Sequence, residues 1–154
     1  MNLWKRKGFP LSTEDPKSAT RSDFVTKVNK SIVATLESLS QDSERSVIDT
    51  RSSGEYIGKF RRALKIGHIP SAINLEWKQV LRKDGTFNSA RLLQKLYSGL
   101  GLRKQDETVT YCQRGYRAAH SWLVLKMLGF SHVRNYLGSW YEWGNDPKTK
   151  VVKS

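Results

Sequence analysis

Apolar and polar positions alternate along this chain with two different periods, and the switches between them mark out the elements. From residue 46 onward, short apolar runs of strand character exchange with segments whose apolar positions recur every three or four residues. Val47-Ile48-Asp49 predicts a short buried strand ending in polar residues, and His68 to Leu75 holds a turn followed by a second strand. Leu92, Leu93, Leu96 and Tyr97 share one face of a helix predicted over Ser89 to Leu100, which Gly99 and Gly101 stop. Thr108 to Tyr111 predicts a strand, Arg117 to Leu128 a helix closed by Gly129, and His132 to Tyr136 another strand. Upstream, Asp23 to Val28 alternates as a short edge strand would, and Ser31 to Leu39 has Ile32, Leu36 and Leu39 at helical spacing, with Asn29 or Ser31 as a cap. Strands and helices in alternation require right-handed crossovers. The expected fold is therefore α/β, a mostly parallel central sheet of about five strands flanked by helices on both faces.

The first forty residues have a different texture. Pro10, Pro16 and the polar run Ser12 to Ser18 form a linker-like stretch that cannot build a core. Across all 154 residues the hydrophobic share is 38%, enough for one packed domain, and no run approaches the roughly 20 apolar residues of a membrane span. Trp122 to Phe130 comes nearest, and Lys126 and Gly129 interrupt it. Met1 to Lys7 is basic, but no apolar region of secretory type follows, so no signal peptide, no membrane partner and a cytoplasmic location are expected.

Charge changes the picture less than its size suggests. Lys and Arg number 27 against 14 Asp and Glu, a formal net charge of +13, yet no block of five or six like charges exists. The pairs Arg61-Arg62, Arg82-Lys83 and Arg103-Lys104 fall at expected turns, as on a solvated basic surface. A nucleic-acid partner is therefore not expected, although the charge would attract some anion. His68, His120 and His132 are far apart and match no metal spacing, so neither a metal nor another cofactor is expected. Trp122, Trp140 and Trp143 read as core and pocket wall rather than stacking platforms for bases. There is no Walker-type glycine loop and no Ser-His-Asp signature.

The single cysteine, Cys112, excludes an internal disulfide and a thiolate zinc cage. It directly follows the strand Thr108 to Tyr111 and is followed by Gln113-Arg114-Gly115-Tyr116-Arg117 and then a helix. Ligands of parallel sheets sit beyond the carboxyl ends of the strands. A strand, a short loop with one glycine and a helix N-terminus make an anion cradle, and Arg114 and Arg117 add two full charges. All three effects favour a thiolate over a thiol. A cysteine that served only to fill an apolar core would not have cations on both sides.

At these residues the sequence resembles the rhodaneses, the thiosulfate and mercaptopyruvate sulfurtransferases. Cys112 to Ala118 is similar to their active-site loop. Val47-Ile48-Asp49-Thr50-Arg51 resembles their first motif, Gly67 to Asn74 the second, and Tyr136 to Trp143 a C-terminal signature typical of the catalytic domain in tandem members. The likeness covers roughly residues 24 to 147.

That resemblance implies an enzyme, a thiosulfate sulfurtransferase. It implies that Cys112 is the catalytic nucleophile, taking sulfur as a persulfide from a small anionic donor and passing it to cyanide or a thiol. Arg51 matches a basic residue that helps hold the substrate, and Asp49 matches a carboxylate that orients the site by salt bridging. Arg114 stands at a position basic in many thiosulfate enzymes and small or polar in mercaptopyruvate enzymes, which favours thiosulfate; 3-mercaptopyruvate and a non-catalytic sulfur-relay module are the alternatives. Gln113, Gly115, Tyr116 and Arg117 complete the expected substrate loop, with Trp140 supporting it. The related cell-cycle phosphatases and arsenate reductases have five residues between cysteine and arginine; four separate Cys112 from Arg117, a loop suited to sulfur rather than a phosphoryl group. Leu137 departs from the family, where Asp is common, and Arg117 from members with Thr. Residues 1–22 resemble a linker and the tail of a preceding domain, residues 23–147 the catalytic domain, and residues 148–154 a C-terminal tail; Trp4 and Phe9 would then have packed on that preceding domain.

Overall fold

In a parallel sheet the central strand is covered on both faces, and Thr108–Tyr111 is buried at every position as that rule requires. The computed structural model describes residues 2–41 and 44–153. In chain order the elements are α1 (Asn2–Arg6), β1 (Val33–Ala34), α2 (Leu36–Ser40), β2 (Ser46–Asp49), α3 (Ser53–Tyr56), β3 (Ile73–Asn74), α4 (Ala90–Ser98), β4 (Thr108–Tyr111), α5 (Tyr116–Met127), β5 (Val133–Tyr136) and α6 (Ser139–Trp143). The five strands are ordered β1-β5-β4-β2-β3 and every pairing is parallel. In register, Asp49 lies opposite Tyr111, so β2 and β4 bring the Asp49 and Cys112 ends of the chain to the same edge.

Alternation along the strands divides the apolar residues between the two faces. Ile48 and Val133 face a layer with Leu93 and Tyr97 of α4 and Val124 and Leu125 of α5. Val47, Val109, Tyr111 and Tyr136 face the other, with Trp140 and Trp143 of α6 and Leu36 and Leu39 of α2 packed there. This is the α/β fold expected, with helices on both faces.

Local differences have physical reasons. Asp23 to Val28 is not a strand; Phe24 and Val25 are 79% and 85% exposed because no neighbouring strand offers them a ladder. The edge strand is Val33–Ala34, inside the segment predicted as helix, where pairing with Asn135 and Tyr136 overrides helical spacing. The helix begins only at Leu36, behind a capping box in which Thr35 and Ser38 exchange hydrogen bonds. On α4 the buried face is Leu93 and Tyr97, while Leu92 turns half into solvent. Of residues 148–154, read as a tail, 148–153 are tied to the body: Lys65 Nζ donates to the carbonyls of Asp146 and Thr149, Trp143 Nε1 to that of Lys150, and His68 and Val152 pair antiparallel. Among the described residues, no helix is long and apolar enough to cross a membrane.

Candidate active site

Cys112 follows β4 and is fully buried. Its position is fixed from the α6 side. The Cys112 N–H donates to Ser139 Oγ at 3.1 Å, and the Ser139 hydroxyl donates onward to the Tyr136 carbonyl at 2.7 Å. The Cys112 and Gln113 carbonyls accept from the Trp140 and Tyr141 N–H groups at 2.9 and 3.0 Å. Ser139 achieves this with a left-handed backbone, φ 53°, a conformation uncommon for a non-glycine residue.

The loop closes back through Gly115, with φ 85°. A Cβ there would lie 3.0 Å from the Leu137 carbonyl oxygen, so both the turn and the close approach require glycine. Asn135 Nδ2 donates to the Gly115 carbonyl and Thr110 Oγ1 to that of Ala118, seating the start of α5 over the strands. Among the described residues, no protein acceptor engages the backbone N–H groups of Gln113, Arg114, Gly115, Tyr116 or Arg117. These five consecutive donors run from the loop after Cys112 into the first turn of the 12-residue α5, where helix N–H groups have no partner within the helix.

The two loop arginines differ in role. Arg117 forks onto Glu55, Nη1 to Oε2 at 2.9 Å and Nη2 to Oε1 at 3.1 Å. Its pKa is raised, first by the hydrogen bond to Glu55 and further by the Glu55 charge, against the lowering effect of burial. Burial pushes the Glu55 carboxyl up, but hydrogen bonds from Arg117 and Ser52, with the Arg117 charge, outweigh it and hold the group at about 2. Arg114 is exposed and lies over the Tyr141 ring at 4.3 Å. Gln113 Nε2 donates to the Arg62 carbonyl at 3.0 Å, and Tyr116 is exposed.

Arg51, expected to help hold the substrate, lies in the interior beside Asp49. It is 1% exposed, donates from Nε and Nη2 to Asp49 and from Nη2 to the Gly67 carbonyl, and lies 4.4 Å from the Trp140 ring centre. Burial lowers its pKa, but the hydrogen bond and charge of Asp49 leave it raised. Asp49 also accepts from Tyr111 Oη at 2.6 Å. The guanidinium thus braces β2, β4 and α6 from within. The Tyr111 hydroxyl titrates well above its ordinary value because of burial and then the Asp49 charge, so it remains a donor.

Glu55 and Ser139 were not singled out from the sequence. Ser52-Ser53-Gly54-Glu55 carries the capping-box pattern that would have located Glu55 at the start of α3, though not its partner across the fold. The three histidines sit apart, His68 stacked on Tyr56 and His120 against Trp77 and Phe87. A cavity of about 360 Å³ bordered by Val47, Ile69, Trp143, Lys148 and Lys150 lies away from the loop. Among the described residues no group of three His, Cys, Asp or Glu could hold a metal ion.

A parallel sheet with a cysteine-to-helix loop at its carboxyl edge agrees with comparison to known proteins. The rhodanese-like domain model matches residues 33–146. Thiosulfate sulfurtransferase of Corynebacterium glutamicum is 44% identical over 123 residues, covering 74% of this chain and 40% of that protein. Sulfur carrier protein TtuD of Thermus thermophilus is 39% identical over 165 residues, covering 97% of this chain and 58% of that protein. The anaerobic ergothioneine biosynthesis enzyme from Chlorobium limicola shares the fold, with a TM-score of 0.87 at 23% identity, over 98% of this chain and 39% of that one. The chain belongs to the rhodanese-like domain family. It spans about half the length of the curated relatives it matches.

Proposed function

We propose that this chain is a sulfurtransferase that moves the sulfane sulfur of thiosulfate to cyanide or a thiol by way of a persulfide on Cys112. The observation that carries the reading is the run of five backbone N–H groups, following Cys112 into the start of α5, that have no protein acceptor among the described residues. Such a cradle lowers the energy of negative charge on the sulfur, first as a thiolate and then as a persulfide anion. Arg117, held at two points by Glu55, adds a fixed positive charge at the start of α5.

The chemistry balances in two displacements. The Cys112 thiolate attacks the outer sulfur of thiosulfate, the S–S bond of the donor breaks, and sulfite leaves with the electron pair. Cyanide or a thiolate then attacks the terminal sulfur of the persulfide, and the Cys112 thiolate is released. No external oxidant or reductant is needed. Exposed Arg114 at the rim supports a doubly negative donor.

The test compares the chain with its Cys112→Ser variant in thiocyanate formation from thiosulfate and cyanide. The native chain should turn over and gain the mass of one sulfur atom when treated with thiosulfate alone, and the variant should do neither. Turnover by the variant at the native rate overturns the reading. A kcat/KM for 3-mercaptopyruvate well above that for thiosulfate would transfer the donor assignment to mercaptopyruvate.

A further inference from the structure

Beside the Cys112 loop lies an open depression bordered by Arg62, Leu64, Arg114, Tyr116, Leu137 and Tyr141. Leu64, Tyr116, Leu137 and Tyr141 are all more than half exposed, an unusual concentration of large apolar surface on one small area. Arg62, Ala63 and Leu64 on one edge belong to the run Lys59-Phe60-Arg61-Arg62-Ala63-Leu64-Lys65, which holds four cations and no acid. Lys65 is bonded to backbone carbonyls, whereas Lys59, Arg61 and Arg62 are exposed, as is Arg114 across the depression. Among the described residues, none of these four forms an ion pair. Glu142 is the one carboxylate on the border. Gln113 joins this edge to the active loop by donating from Nε2 to the Arg62 carbonyl at 3.0 Å.

Resting on the sulfurtransferase reading, we infer that this cationic and apolar rim docks the sulfur acceptor, and that the acceptor is a protein thiol on an acidic, protruding segment. Three features select it. Cys112 is fully buried, so a thiol set flush in a flat protein surface cannot reach it and one on a projecting loop or tail can. Four unpaired cations attract a carboxylate-rich segment, which speeds encounter and orients it. The apolar residues between them give such a chain side-chain pockets that a bare polyphosphate backbone would leave unfilled. A nucleic acid offers no thiol, and a second copy of a chain with net charge +13 is repelled. The transfer is a displacement: the acceptor thiolate forms an S–S bond to the terminal persulfide sulfur, the bond to Cys112 breaks, and the Cys112 thiolate leaves.

The experiment loads the full chain with sulfane-labelled thiosulfate and mixes it with three short cysteine peptides of one length, flanked by Asp and Glu, by Ser and Gly, or by Lys. The acidic peptide should take the label about tenfold faster than the neutral one at low ionic strength, with the advantage gone in 0.5 M salt, and the Lys peptide should be slowest. Arg61→Glu with Arg62→Glu should abolish the discrimination, while thiocyanate formation with cyanide stays at the native rate. Equal rates for the three peptides, or discrimination unchanged by the double variant, overturns the docking surface. Saturable binding of a mixed-sequence RNA that the double variant loses, without peptide discrimination, gives the rim to nucleic acid and overturns it as well. So does a concentration-dependent dimer whose formation masks the rim. Absence of label on the protein overturns the sulfurtransferase reading itself, and the docking inference with it.

Discussion

Glu55 accepts hydrogen bonds from both terminal nitrogens of Arg117 and from the amide and hydroxyl of Ser52, so one carboxylate joins α3 to the loop carrying Cys112. Glu55→Gln keeps the shape and removes the charge. It should cost roughly 2–3 kcal/mol in urea unfolding, as for hydrogen bonds to charged groups. It should also lower kcat/KM for thiosulfate by about ten- to a hundredfold through misplacement of Arg117. Because the folded carboxyl titrates near 2, below its ordinary 4.5, its stabilisation is complete above pH 4.5 and is lost as the pH falls from 4.5 toward 2. In the variant the loss of stability across that interval should be shallower, which denaturant melts at stepped pH would read. Arg51 is a contrasting case. Arg51→Met leaves Asp49 buried and short of its cation, so a loss of about 3–5 kcal/mol is expected with KM for thiosulfate nearly unchanged in the folded protein. A raised KM at unchanged stability would return Arg51 to substrate binding.

At the scale of elements, the loop from β4 to α5 depends on α6 as much as on its own residues. Gly115 must hold φ 85° against the Leu137 backbone, while Ser139, Trp140 and Tyr141 fix the Cys112 and Gln113 backbone from the other side. Gly115→Ala adds left-handed strain of about 1–2 kcal/mol and a clash at Leu137. Reduced stability and a larger proportional loss of turnover are expected; native turnover in this variant would sink the account of the loop. The strands Val47–Asp49, Thr108–Tyr111 and Val133–Tyr136 were legible because parallel strands buried on both faces are short and apolar. Val33–Ala34 was not, since a two-residue edge strand has no period of its own and exists only through its pairing with β5.

For the whole molecule, charge and packing separate the chain into unlike parts. Residues 10–29 are exposed throughout, and among the described residues the hydrogen bond from α1 to the body is that of Arg6 to the Asp84 carbonyl. Deleting residues 1–29 should therefore change unfolding free energy by no more than about 0.5 kcal/mol, as for exposed substitutions outside special sites. A drop of several kcal/mol on calorimetry would mean that this arm supports the fold. The C-terminal residues behave oppositely, since Lys65, His68 and Trp143 bind them to the sheet-bearing body.

The sequence by itself determined the alternation of strands and helices, the carboxyl-edge position of Cys112 and the short loop behind it, because these depend on local period, one glycine and residue order. The family resemblance rested on the same stretches of neighbouring residues. Only the tertiary structure decided what each charge does. Arg51 and Arg117 are equally cationic on paper, yet one is sealed against Asp49 beneath Trp140 and the other forks onto Glu55, 62 residues away, beside the thiol. Ion pairs across a fold depend on distances that sequence spacing does not encode, and burial determines whether such a charge braces the core or meets a ligand.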